Sequence, residues 1–165
     1  MRVPIRKSGE FTHLTPDPYI TLEKYNKLTE KLKRLKVLLP QAMKEVSRLA
    51  EMGDFSENVA YQMAKGRLRG LNQGVLDLEE QLKLAIIIKP SNVKNQVQLS
   101  SQVTVETNGQ EQTYLILGST EIDLRNNIIS HNSPIGSALM NKKVGETVKI
   151  QLVDNEIELK IIKIV

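Results

Sequence analysis

The stretch AEMGDFSENVAYQ, residues 50–62, breaks an otherwise helical run. On its N-terminal side Tyr25, Leu28, Leu32, Leu35, Leu39, Ala42, Val46 and Leu49 recur at alternating steps of three and four. On its C-terminal side Tyr61, Ala64, Leu68, Leu71, Val75, Leu78, Leu82 and Ala85 do the same. Each run is a coiled-coil seam. The two mirror each other about Phe55, setting Leu49 against Tyr61, Leu35 against Val75 and Tyr25 against Ala85. An antiparallel helical hairpin needs that register, because its seams must meet from base to tip. The spacing predicts an arm on the order of 40 Å long, at about 1.5 Å rise per residue. Two helices of a compact bundle would show the same seams, but no third or fourth heptad segment follows to complete one. Pro40 removes one backbone donor inside the first helix. The seam keeps its phase across it, so a kink is expected rather than an end.

After KPSN, residues 89–92, the period changes. QVTVET, the turn pair Asn108-Gly109 and QTYLIL read as a β-hairpin with a primed turn. ETVKIQLV, Asp154-Asn155 and EIELKIIKIV read as a second strand–turn–strand. Between them, Ser133 suits a helix cap, Pro134 the first helical position, and Gly145 the close of the segment. The expected fold is therefore α+β in two domains. Residues 1–18 are an irregular arm containing Pro4, Pro16 and Pro18. Residues 19–88 are the coiled-coil hairpin with its tip near 53–58, 89–95 a linker, and 96–165 a domain of four or more strands with one short helix.

Composition narrows the function. The 165 residues are 40% hydrophobic and 25% charged, a globular balance, but only 4% aromatic with no Trp. One large aromatic-rich core is not expected. The absence of cysteine excludes a disulfide scaffold, a Cys-based zinc site and a Cys nucleophile. His13 and His131 are too far apart in sequence to suggest a His-rich metal site. The first 19 residues are basic without an apolar core, unlike a secretory signal, and the longest apolar run, LAIII, is far short of a membrane span. A soluble protein is expected. A net charge of +4 and a pI near 9.2 permit a nucleic-acid or acidic-protein partner without requiring one.

The tip itself reads two ways. Gly53 can make the turn, Asp54 can cap the second helix, and Glu57 can reach back as in a capping box. Yet both carboxylates stand at the end of a long arm, with no basic residue between Arg48 and Lys65, and Phe55 has no core to enter there. Two carboxylates alone make a weak Mg²⁺ site, because this ion keeps waters and shares its ligands. Such a tip would complete a metal site on a partner. Beyond it, Lys65, Arg67 and Arg69 form a basic cluster that reads equally as a solvated helix face or as a sequence-independent phosphate contact.

GDFSENVAYQMAK at the tip and IISHNSPIGSALMNKKVGETVKI in the second half together resemble the Gre family of transcript cleavage factors, in matching order over residues 19–165. The resemblance implies a C-terminal FKBP-like α+β domain that binds bacterial RNA polymerase. It implies a coiled coil that enters the polymerase secondary channel. There Asp54 and Glu57 match the family's essential acidic pair, helping to hold a second Mg²⁺ and a water, so that the polymerase hydrolyses the 3′ end of a backtracked nascent RNA. The Mg²⁺ belongs to the polymerase active site; none is expected to be stably bound by the chain alone. Ser56, Asn58 and Tyr61 match tip residues that orient the loop, and Phe55 among them is expected to support the tip. Lys65 matches a basic position facing the RNA, with Arg67 and Arg69 beside it. Asp123, Ser133, Pro134 and Ile135 match the loop region that meets the polymerase. On this reading the protein is a cytoplasmic, monomeric accessory factor, not an enzyme by itself.

The chain departs from the family pattern at Ala60, usually acidic, and at Phe55, usually leucine. The weighed alternatives are a channel-binding inhibitor of the same fold, a prolyl isomerase and a plain coiled-coil scaffold. An isomerase needs an aromatic-lined pocket, and Tyr114 is the only aromatic residue after Tyr61.

Overall fold

The computed structural model describes residues 17–52, 58–89, 95–151 and 156–165. A short strand β1 (Tyr19–Ile20) leads into helix α1 (Leu22–Glu51), and α2 (Val59–Leu84) returns to a second short strand β2 (Ile86–Ile87). All sixteen seam residues are buried or half-buried, while the neighbouring outward positions are mostly exposed. Ion pairs on the flanks report the same register: Lys36 Nζ stands 2.6 Å from Glu79 Oε1 and Arg67 3.9 Å from Glu45. These exposed pairs fix partner choice more than stability. β1 and β2 pair in parallel, Tyr19 with Ile86 and Ile20 with Ile87, stapling the base of the hairpin.

Helix α1 continues unbroken through Pro40, as the seam phase requires. Opposite, α2 carries Gly66, Gly70 and Gly74. A Cβ on Gly74 would stand 3.2 Å from Leu35 Cδ1, so its smallness lets the helices close, whereas Gly66 and Gly70 face open space. Gly70 therefore costs helix stability without a packing return. Gly70→Ala should stabilise the hairpin by about 0.5–1 kcal/mol, read as a raised unfolding midpoint in urea.

The second half is a five-stranded sheet of β3 (Gln102–Thr107), β4 (Gln110–Leu117), β5 (Ile128–Ser130), β6 (Thr147–Gln151) and β7 (Glu156–Ile164), in the order β5-β4-β3-β7-β6. Only the β4–β5 pair is parallel. Asn108 (φ 51°) and Gly109 (φ 76°) supply the two left-handed residues of the primed turn between β3 and β4. Asp154-Asn155, the other expected turn, lies outside the described residues. Inward residues alternate with polar ones, giving a core of Val103, Val105, Ile116, Val148, Ile150, Leu159 and Ile161, with Tyr114 its one aromatic.

Helix α3 (Pro134–Leu139) packs against β5 and β6. Ser133 caps it and Pro134 opens it as the sequence suggests. The helix ends at Leu139, and Asn141 (φ 64°) takes the left-handed position just beyond the cap, its N–H bonding Val97 O at 2.9 Å. Gly145 (φ 89°) closes the segment after the helix, turning the chain into β6. Two features had no sequence reading: the β1–β2 staple and β5, both too short to show a period. Among the described residues no helix is long and apolar enough to cross a membrane.

Candidate functional site

The far end of the hairpin is defined by where its helices stop. α1 ends at Glu51 with Met52 as its cap, and Asn58 caps α2, its side-chain oxygen accepting the Tyr61 N–H at 3.1 Å. This corrects the expectation that Asp54 caps the second helix. Asn58 holds that position. Asp54, Phe55, Ser56 and Glu57, with Gly53, lie outside the described residues. Around this end three apolar side chains, Met52, Val59 and Met63, are each about seventy per cent exposed beside exposed Glu51 and Gln62.

The basic cluster divides. Lys65 and Arg69, one helical turn apart, share a face of α2, and the Lys65 ammonium stands 5.9 Å from the Tyr61 ring centroid, within cation–π reach. Arg67 lies on the opposite flank, where Glu45 pairs with it. Lys65 and Arg69 are thus placed to meet one phosphate backbone together.

Asp123 and the run Ser133, Pro134 and Ile135 flank the two ends of β5. Asp123 forms a bridge to Ile128 at the start of β5, whereas Ser133 follows its end. The Asp123 carboxylate accepts the Arg125 N–H at 3.0 Å and the Asn126 amide at 2.8 Å, closing its own turn. Ser133 Oγ donates to Ser130 O at 2.6 Å and accepts the Gly136 N–H at 3.0 Å. Ile135 packs against the sheet core. Of the four, Pro134 alone is exposed; Asp123 and Ser133 shape loops rather than present free polar groups. The sequence reading passed over Ile122 and Leu124, which flank Asp123 and are 49% and 77% exposed.

A third cluster joins the hairpin base to the sheet domain. Asp17, 5% exposed, accepts the Ser119 N–H at 2.7 Å, the Ser119 hydroxyl at 2.8 Å and the Tyr19 N–H at 3.1 Å. His131 Nδ1 stands 3.5 Å from Asp17 Oδ2, and its ring meets Tyr19 edge-on at 5.7 Å. Ser119 Oγ also contacts Ser130 Oγ at 2.8 Å. Asp, His and Ser meet here, yet neither hydroxyl bonds the imidazole, so no serine is activated as a nucleophile.

Burial pushes the Asp17 carboxyl up. The two Ser119 bonds, the Tyr19 N–H and the charge of His131 outweigh it and hold the group below its ordinary value of 3.8. A depressed folded value stabilises above the ordinary one and is lost as pH falls through the folded one. Wild-type stability should therefore fall below about pH 4, the ordinary range for Asp. Asp17→Asn should flatten that dependence, as urea midpoints at pH 5 and pH 3 would show. An equal loss in both proteins would count against this role.

The description "Transcription elongation factor, N-terminal" matches residues 18–87, and "Transcription elongation factor, GreA/GreB, C-term" matches 92–165. The chain belongs to the GreA/GreB family of transcription elongation factors. A transcription elongation factor GreA of Caldanaerobacter subterraneus subsp. tengcongensis is 38% identical over 149 residues, 88% of this chain and 95% of that one. The GreA of Macrococcus caseolyticus is 37% identical over 149 residues, 88% of this chain and 94% of that one. The crystal structure of GreA factor homolog 1 (Gfh1) of Thermus thermophilus is similar at 23% identity and a TM-score of 0.40, covering 86% of this chain and 94% of that chain. That superposition is too loose to match residues one to one. The family match to the hairpin begins at Pro18, so Asp17 lies just outside it.

Proposed function

We propose that this GreA/GreB family member docks on bacterial RNA polymerase through its sheet domain and extends its hairpin into the secondary channel. There it stimulates endonucleolytic cleavage of the 3′ end of backtracked RNA. The observation that carries this reading is the arm. Two helices of 30 and 26 residues, zipped by one continuous seam, hold the five residues 53–57 at the end remote from the sheet domain. Asp54 and Glu57 belong to that connection in the sequence, where a partner could use them.

The donor set fits Mg²⁺ in kind, since both groups are carboxylates, and falls short in number, so the polymerase supplies the remaining ligands. When bound, the ion stabilises charge on the reacting phosphate and lowers the pKa of a water. The chain's own part is to deliver and orient the carboxylates, with Asn58 and Tyr61 fixing the start of α2 behind them. Lys65 and Arg69 face the RNA backbone on this reading. The protein is an accessory factor acting in the cytoplasm as a monomer, and the hydrolysis belongs to the polymerase.

The deciding experiment is transcript cleavage in a stalled elongation complex, with and without the protein. Shortened RNA that resumes extension supports the reading. Intact RNA with slowed extension would replace it with channel inhibition.

A further inference from the structure

Helix α1 is entered from the segment 17–21, whose two ends are fastened to the sheet domain while Tyr19 and Ile20 between them pair with β2 at the hairpin base. Asp17 is held by Ser119 and faces His131, as described above. Four residues on, Thr21 caps α1 by accepting the Lys24 N–H at 3.2 Å. Glu121 grips that same cap with both oxygens, accepting the Thr21 N–H at 2.7 Å and its hydroxyl at 2.6 Å. Ile20, between the two grips, is 1% exposed. Gly118 lies so close beneath that a Cβ on it would stand 1.8 Å from Tyr19 O. The one-turn 3₁₀ helix Ser119–Glu121 is thus clamped at both ends, and α1 starts at Leu22 with no slack between clamp and helix.

That attachment matters because of leverage. A helix of 30 residues is about 45 Å long at about 1.5 Å per residue. A tilt of roughly 10° at its base would carry its far end roughly 8 Å on that length. Reacting groups must be placed to within about 1 Å for full effect. Docking through the sheet domain therefore delivers the tip only if the base angle is fixed.

We propose that Asp17 with Ser119 and His131, and Thr21 with Glu121, form a latch that sets the aim of the arm, making Asp17 a positioning residue that acts through α1. This rests on the functional reading above. It assigns a role to Asp17, a residue of the N-terminal arm just outside the family match. The bonds involved are charge-assisted, and the Asp17 side chain that makes half of them is 5% exposed.

The chain contains no cysteine, so labels can be placed at will. Nitroxides at Lys44→Cys on α1 and Glu111→Cys on β4, both exposed positions, report the angle as a distance distribution. Asp17→Asn and, separately, Glu121→Gln should broaden that distribution. They should also lower the cleavage rate at saturating factor about fivefold or more, with polymerase affinity and helix content unchanged; that is the cost of misplacing a group by an ångström or more. An unchanged distribution in both variants overturns the latch. A broadened distribution with undiminished cleavage overturns its link to aim. Absence of cleavage by the wild type instead refutes the functional reading, and the distances still decide whether the latch exists.

Discussion

Replacing Asp54 and Glu57 together by alanine is expected to cut stimulated transcript cleavage by at least about a hundredfold, the scale for removing preorganised charge from a reacting centre. Polymerase affinity should stay within about twofold, because sites an arm's length apart contribute independently. The two effects separate because delivery and docking sit in different units. The sheet domain keeps its core and loops in the variant, and α2 keeps its start, since Asn58 caps it. The measurements are RNA 3′-end lengths in backtracked complexes and competition binding against the wild type. Cleavage at the wild-type rate would end the tip mechanism. A parallel loss of binding would mean that the carboxylates anchor the protein rather than serve the chemistry.

How legible the site was depends on how local its signals are. The hairpin could be read because its seams repeat every few residues and mirror one another, so sixteen positions argue for one register. The primed turn at Asn108-Gly109 could be read because two left-handed residues have few sequence solutions. Asn58 was overlooked as the cap because Asp54, with Glu57 three residues later, satisfies the capping-box pattern equally well. Only the helix start separates the two. The latch left no local trace at all. Asp17 and Ser119 are 102 positions apart, Thr21 and Glu121 are 100 apart, and neither pair belongs to a period. The roles of Asp123 and Ser133 were hidden for a related reason. A polar residue in a loop reads the same whether or not it also holds its own turn, and only the fold shows the bonds it makes there.

Gly136→Ala should be among the most damaging single changes in the sheet domain, and its sign is opposite to that of Gly70→Ala. Both glycines lie in helices, where alanine has the better intrinsic propensity. At Gly70 nothing opposes the gain. At Gly136 a Cβ would stand 2.0 Å from Ser130 O and 2.9 Å from the carbon of that carbonyl. The carbonyl cannot retreat cheaply. It accepts both the N–H and the hydroxyl of Ser133, at 3.0 and 2.6 Å, and Ser130 itself is paired with Leu117 of β4. Relief must come from α3 lifting off β5, which would unpack Leu139 from the core and break the Ser133 cap on Gly136. The expected loss is about 3 kcal/mol or more, at the upper end of overpacking costs. For a domain of this size that lowers its thermal midpoint by roughly 10–20 °C. Hydrogen exchange separates the units: protection should fall for β4, β5 and β7 amides while the α1 and α2 seams hold theirs. Because α3 carries Pro134 and Ile135, polymerase binding should weaken in the same variant at temperatures where the sheet still holds. Unchanged exchange in β5 would mean that the close approach of α3 to Ser130 does not exist in solution.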